Sequence, residues 1–194
     1  MNTAAELRES LARFAREVQS RFSGFYLGGG TAIMLKYQHR ISTDLDFFSE
    51  KEFSFQRLIN KLRKFYSIER FNILADNMDV FISGIKVSFI FFPFQNLEKL
   101  QKVHGILMAS DYDLFLNKVY AGGRRIVWKD PFDAAFLWNT HRWSAERVRV
   151  DFGRKFPGQS YEIFLGALLD FEAYPSLSDS TKEILLAMKA STVS

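Results

Sequence analysis

Residues 26–48 read YLGGGTAIMLKYQHRISTDLDFF. A short strand over residues 25–27 leads into three glycines. Thr31 then opens a short apolar helix ending near Tyr37. A helix N-terminus carries unpaired N–H groups and a partial positive charge. Glycines there let an anion come close to the backbone. Gly29, Gly30 and the Thr31 hydroxyl are thus candidates to hold phosphate oxygens. On these residues alone, a plain strand-to-helix turn capped by Thr31 stays open. Asp44 and Asp46 follow at i and i+2, so on a strand their side chains share a face. Two carboxylates there form a partial shell for Mg2+, which is completed by waters and substrate phosphates. An acid beside a strand is often only a turn former. Leu45, Phe47 and Phe48 instead carry this segment into a hydrophobic strand, where stray acids are disfavoured. Arg40 and Ser42 fall at the mouth of such a site, where Arg40 pairs with a phosphate or makes a structural salt bridge.

The chain around this stretch has 194 residues, 47% of them hydrophobic, enough for one domain with a sizeable core. It has no cysteine, which excludes disulfides and thiolate metal sites. The first residues are charged and amphipathic rather than apolar. No apolar run is long enough to span a bilayer, so a cytoplasmic protein without membrane contact is expected. A net charge of +4 permits nucleotide or nucleic-acid contact without demanding it.

Periodicity predicts a helix over residues 3–22, with Thr3 and Glu6 as a capping box, and another over 53–66. Strands are expected over 67–74, 79–82 and 86–92, with Ser83-Gly84 as a hairpin turn. The last strand is apolar on both faces and so central. Residues 94–105 read as a connection. Ser110 opens a helix that Gly122-Gly123 stops. Asp130-Pro131 has the form of an N-cap followed by Pro at the first helical position, opening a helix to 143. Residues 142–155 are basic and include Trp143, which suits an RNA backbone or a solvated helix face. Helices over 161–174 and 180–189 follow, the second with Ser180 and Glu183 as a capping box.

Two motifs carry a family resemblance. The first is Gly29-Gly30-Thr31 followed by His39-Arg40-x-Ser42-x-Asp44-Leu45-Asp46-Phe47-Phe48. The second is Lys118, six residues, Arg125, three residues, Lys129-Asp130, two residues, Asp133. Together they resemble the AbiEii/AbiGii-type nucleotidyltransferase toxin family of the DNA polymerase β-like superfamily. The resemblance implies an α/β fold: a nucleotidyltransferase-type mixed sheet with flanking helices and a C-terminal helical bundle. The core is expected over residues 1–105, with a helical region over 106–194 packed on it. The implied activity is Mg2+-dependent transfer of a nucleotidyl group from a nucleoside triphosphate to an RNA, such as tRNA, or to a protein hydroxyl. The implied setting is a toxin–antitoxin or phage-defence pair with a cognate antitoxin.

By this resemblance Asp44, Asp46, Lys118 and Asp130 are the catalytic candidates, with Asp44 and Asp46 as metal ligands. Gly29, Gly30, Thr31, Arg40, Ser42, Lys118 and Arg125 are the nucleotide-binding candidates. Lys118 offers a point charge to a triphosphate, and Asp130 is a base or an acceptor-positioning group. One departure stands out. Superfamily members place a third carboxylate on the central strand, and the aligned residue here is Ser88. Asp79 lies across the hairpin as a conceivable substitute. The gap favours single-metal chemistry. It also supports an alternative: a catalytically impaired module that binds nucleotide or RNA without turnover.

Overall fold

The computed structural model describes residues 3–191. The chain forms two compact units. The first runs to residue 95 and resumes over 99–109, and the second holds 96–98 and the residues from 110 onward.

The first unit begins with α1 (Ala4–Arg21), where Thr3 and Glu6 form the expected capping box. Then come β1 (Tyr26–Gly28), α2 (Gly29–Tyr37), β2 (Leu45–Ser49), α3 (Phe55–Leu62), β3 (Arg70–Ile73), β4 (Asn77–Ile82) and β5 (Ile85–Phe91). A hairpin of β6 (Gln101–Val103) and β7 (Ile106–Met108) closes the unit. The strands form one mixed sheet in the order β3-β4-β5-β2-β1-β7-β6. β2 runs parallel to β5 and β1 parallel to β7, while the other pairs are antiparallel. β5 lies between β4 and β2, the central place its two apolar faces predict.

Register separates the two faces of this sheet. Phe47 pairs with Phe89 and Phe89 with Met78, all fully buried. The rings of Phe47 and Phe89 stack at 5.6 Å, and Phe25 meets Phe89 edge-on at 5.1 Å. Facing residues in paired strands share one side of the sheet, so this row is core. The next row has the opposite character: Gly28, Asp46, Ser88, Asp79 and Asn72 are successive register partners across five strands.

Two expectations in this unit differ from the structure. The helix expected over 53–66 stops at Leu62. Phe65 and Tyr66 leave it to meet Phe22 and Phe14, at ring distances of 6.1 and 5.7 Å. The connection expected over 94–105 contains β6 and turns into β7. Its turn, His104-Gly105, has both φ angles positive, as does Ser83-Gly84 between β4 and β5. Two such residues make the mirror-image turn that matches strand twist. The 105/106 division falls inside the β6–β7 hairpin, which stays with the first unit.

The second unit comprises α4 (Asp111–Gly122), α5 (Lys129–His141), α6 (Ala145–Lys155), α7 (Tyr161–Leu168) and α8 (Asp179–Ala190). α4 packs on α5 and α7, α5 on α8, and α6 on α7. Ser110, Ser144, Ser160 and Ser178 cap four of these helices. α8 thus starts from Ser178 rather than Ser180, because the Ser178 hydroxyl accepts from Thr181 N at 3.3 Å. A fully buried ion pair joins Lys155 to Asp113. Asp113 also accepts from the backbone of Leu97 and Glu98 at 2.9 and 3.0 Å, tying residues 96–98 to this unit.

Candidate active site

The glycine turn is the floor of the first constellation. Gly29 has φ +65, the left-handed region that glycine tolerates without strain. A Cβ at Gly29 would collide with the Asp46 carboxylate, and one at Gly30 with the Arg40 guanidinium. The same Cβ at Gly30 would come within 3.3 Å of Ser42 Oγ. An acid, a cation and a hydroxyl therefore close on bare backbone at the N-terminus of α2. The sequence expectation for Gly29, Gly30, Arg40, Ser42 and Asp46 is that they meet, and in the structure they do.

Thr31 is fully buried. Its hydroxyl lies 2.9 Å from Ser42 Oγ and donates to the backbone carbonyl of Asp44. It thus ties the start of α2 to the loop that enters β2. Asp44 and Asp46 are both half-buried, one just before β2 and one within it.

These residues fit Mg2+ to a limited extent. The two acids at i, i+2 and the glycine cradle match an ion that takes one or two carboxylates and keeps waters and phosphates. Asp79 does not join them. Ser88 stands between Asp46 and Asp79 in register, and two strand spacings amount to roughly 10 Å. Asp79 is instead held by Ser88 Oγ at 2.7 Å and by Lys86 Nζ at 2.9 Å. Among the described residues no cluster of three acids or histidines could hold a metal.

The second constellation lies in the helical unit. Lys118 on α4 is buried, with its Nζ 2.8 Å from Asp130 Oδ1 and 2.9 Å from Asp133 Oδ2. Both acids are on α5 and fully buried. Arg125 completes the group, with Nε 2.8 Å from Asp130 Oδ2 and Nη2 3.2 Å from Oδ1. This forked contact gives geometric specificity as well as charge. Burial alone would push the Lys118 amine down, but Asp133 and Asp130 outweigh it and hold the pKa above the ordinary lysine value. Burial alone would push Asp130 up, but Lys118 and Arg125 hold it below the usual carboxylate range.

Two sequence expectations are corrected here. Asp130 is not the cap of α5: the N-cap position is Trp128, and Asp130 sits in the first turn with its carboxylate engaged by Lys118 and Arg125. Asp133, the last residue of the second motif and outside the site candidates, is a second partner of Lys118. Its spacing from Asp130 gave the signal, since residues three apart share a helix face. Two cations of the basic segment 142–155 are firmly engaged by acids. Arg147 pairs with Glu98 at 2.8 Å and with Asp151 at 3.5 Å, and Lys155 is buried on Asp113.

The profile of the family described as nucleotidyl transferase AbiEii toxin, type IV TA system, matches residues 12–188. The chain belongs to the AbiEii family. An uncharacterized protein of Aquifex aeolicus (strain VF5), aq_aa25, is 33% identical over 155 residues, covering 76% of this chain and 74% of that protein. The fold also resembles JHP933 from Helicobacter pylori, with TM-score 0.58 and 17% identity over 96% of this chain and 90% of that one. A second Helicobacter pylori structure gives TM-score 0.58 and 19% identity, covering 100% of this chain and 95% of that one. AbiEii membership makes this a nucleotidyltransferase of a toxin family, and both expected motifs lie inside the matched span. Among the described residues no helix is long and apolar enough to cross a membrane.

Proposed function

We propose that this AbiEii chain transfers a nucleotidyl group from a nucleoside triphosphate to a hydroxyl of an RNA, such as a tRNA 3′ end. The observation that carries this is the bare floor of Gly29 and Gly30, on which the Asp46 carboxylate and the Arg40 guanidinium both lie. Bare backbone beside an acid and a cation suits a triphosphate with its metal ion.

Asp44 and Asp46 would hold Mg2+, which supplies charge neutralisation along the phosphates. The backbone N–H groups of Gly29 and Gly30 receive phosphate oxygens, and Arg40 and Ser42 flank them. Thr31 fixes the acids through the Asp44 carbonyl. Within the helical unit, Lys118 and Arg125 are the proposed nucleotide-binding residues, paired with Asp130 and Asp133 in the free chain. Asp130 has two proposed roles, base and positioning group. Its depressed pKa makes it a weak base, so we assign it to holding Lys118 and Arg125 in place. The work is then almost entirely positioning and electrostatics. We place the protein in the cytoplasm as the toxin of a pair, with a cognate antitoxin as partner.

The test is incorporation of label from each α-labelled nucleoside triphosphate into cellular RNA with Mg2+. Transfer to RNA that is lost in Asp44→Ala and Lys118→Ala supports the proposal. Unchanged transfer in both variants refutes the site. Ser88 at the third-acid position favours the second reading, a binding module without turnover. That reading predicts Mg2+-dependent nucleotide binding by calorimetry with no incorporation.

A further inference from the structure

We infer that residues 124–129 form a landing platform for the single-stranded end of an RNA acceptor, with Trp128 as the stacking surface. This inference rests on the proposed transfer reaction and names where its acceptor binds. The segment reads Arg-Arg-Ile-Val-Trp-Lys, contains no acid, and leads directly into the buried Asp130. Arg124, Arg125, Ile126, Trp128 and Lys129 are all exposed. Ile126 is 73% and Trp128 40% exposed, two large apolar side chains held in water within three residues. Scattered exposed apolar residues need no explanation. An indole between cations at the edge of a charged site matches the chemistry that binds unpaired bases, a π-face for stacking beside charges for phosphate.

Charge balance supports the same conclusion. Asp130 and Asp133 are answered by Lys118 and Arg125. Arg124 and Lys129 are then surplus positive charge at the surface, where Arg124 donates to the Tyr120 hydroxyl and lies over its ring. The alternative basic segment, 142–155, has spent Arg147 and Lys155 on acids of its own unit.

The platform is also fixed at both ends. A Cβ at Gly122 would fall 2.7 Å from Leu168, and one at Gly123 would collide with Phe164, so the glycine pair is seated against α7 and its C-terminal end. At the other end Asp130 is clamped by Lys118 and Arg125. Trp128 meets Phe132 edge-on at 5.8 Å. A surface held this way loses little freedom when it binds.

The test uses a fluorescein-labelled 12-mer of riboadenylate with a free 3′-OH, followed by anisotropy, beside calorimetry of the four nucleoside triphosphates with Mg2+. Wild type should bind the 12-mer in a salt-sensitive way. Trp128→Ala should weaken it about tenfold, and Trp128→Phe should largely keep it. Lys129→Glu places an acid at a helix N-terminus, where it favours folding, and should still weaken the 12-mer severalfold and flatten the salt dependence. It therefore decides the matter if Trp128→Ala fails to fold. Wild type that ignores the 12-mer, variants that bind it like wild type, or transfer to protein that Trp128→Ala leaves unchanged would each overturn the platform. Loss of nucleotide binding in wild type would instead sink the proposed reaction, separately from this inference.

Discussion

Ser88 Oγ donates a 2.7 Å hydrogen bond to Asp79 Oδ1, while Ser88 is also the register partner of Asp46. The residue that stands where a third catalytic acid is expected thus separates two carboxylates. An acid at that position would face Asp46 on one side and Asp79 on the other. Ser88→Asp should lower stability by roughly 1–3 kcal/mol, because a nearly buried charge meets like charges. Asp79→Asn in the same chain should recover part of the loss. Thermal melts with and without Mg2+ check this, and the ion should raise the melting temperature of Ser88→Asp more than that of wild type.

Gly29→Ala should damage the site more than the turn. Its φ of +65 costs a substituted residue about 1–2 kcal/mol. The added Cβ also displaces the Asp46 carboxylate. Gly24 has φ +93 with open space around its Cβ position, so Gly24→Ala carries the strain without the collision. Calorimetry should show nucleotide binding lost in Gly29→Ala and retained in Gly24→Ala.

The charged group around Lys118 predicts a pH profile of stability. Asp130 titrates below the usual carboxylate range in the folded chain. Its contribution is therefore complete above the ordinary carboxylate pKa and lost as pH falls through the folded value. Lys118 titrates above the ordinary lysine value. Its contribution is complete below that ordinary value and lost as pH rises through the folded one. Urea midpoints across pH should fall at both ends, and Asp130→Asn should flatten the acid limb. Lys118→Met leaves buried carboxylates unmatched and should cost about 3–5 kcal/mol.

Lys155 and Asp113 make a second buried pair within the helical unit. Lys155→Met should cost about 3–5 kcal/mol and loosen residues 96–98, whose backbone bonds to Asp113. Hydrogen exchange at Leu97 and Glu98 should report that loosening. Adding Asp113→Asn should recover part of the stability, since it removes the unmatched charge while its amide oxygen still accepts from the backbone.

These relations differ in how far the sequence shows them. The Gly29–Asp46 constellation was legible because glycine, helix start and acids lie within one short stretch, where local geometry decides. The central place of β5 followed from its two apolar faces. Lys155 was misread as part of a solvated basic face. It shares a stripe with Val148 and Phe152 at helical spacing, and all three are buried. Charge hid a periodic signal that an apolar residue would have given. The β6–β7 hairpin was missed because its strands are only three residues each and the first turn position is His104 instead of Asn, Asp or Gly, although it adopts positive φ. Asp130 read as a cap because Asp-Pro is a common helix start. Its actual partners, Lys118 and Arg125, come from tertiary packing that no local pattern encodes.

The central claim is that the acid and the cation on the glycine floor, Asp46 and Arg40, serve one transition state. A double-mutant cycle on nucleotidyl transfer tests it most directly, with Asp46→Asn, Arg40→Met and the combined variant assayed under conditions where each is folded. Groups that act as a unit are strongly non-additive. The combined variant should lose no more activity than the worse single variant. Losses that multiply, or a single variant with wild-type transfer, would contradict the claim.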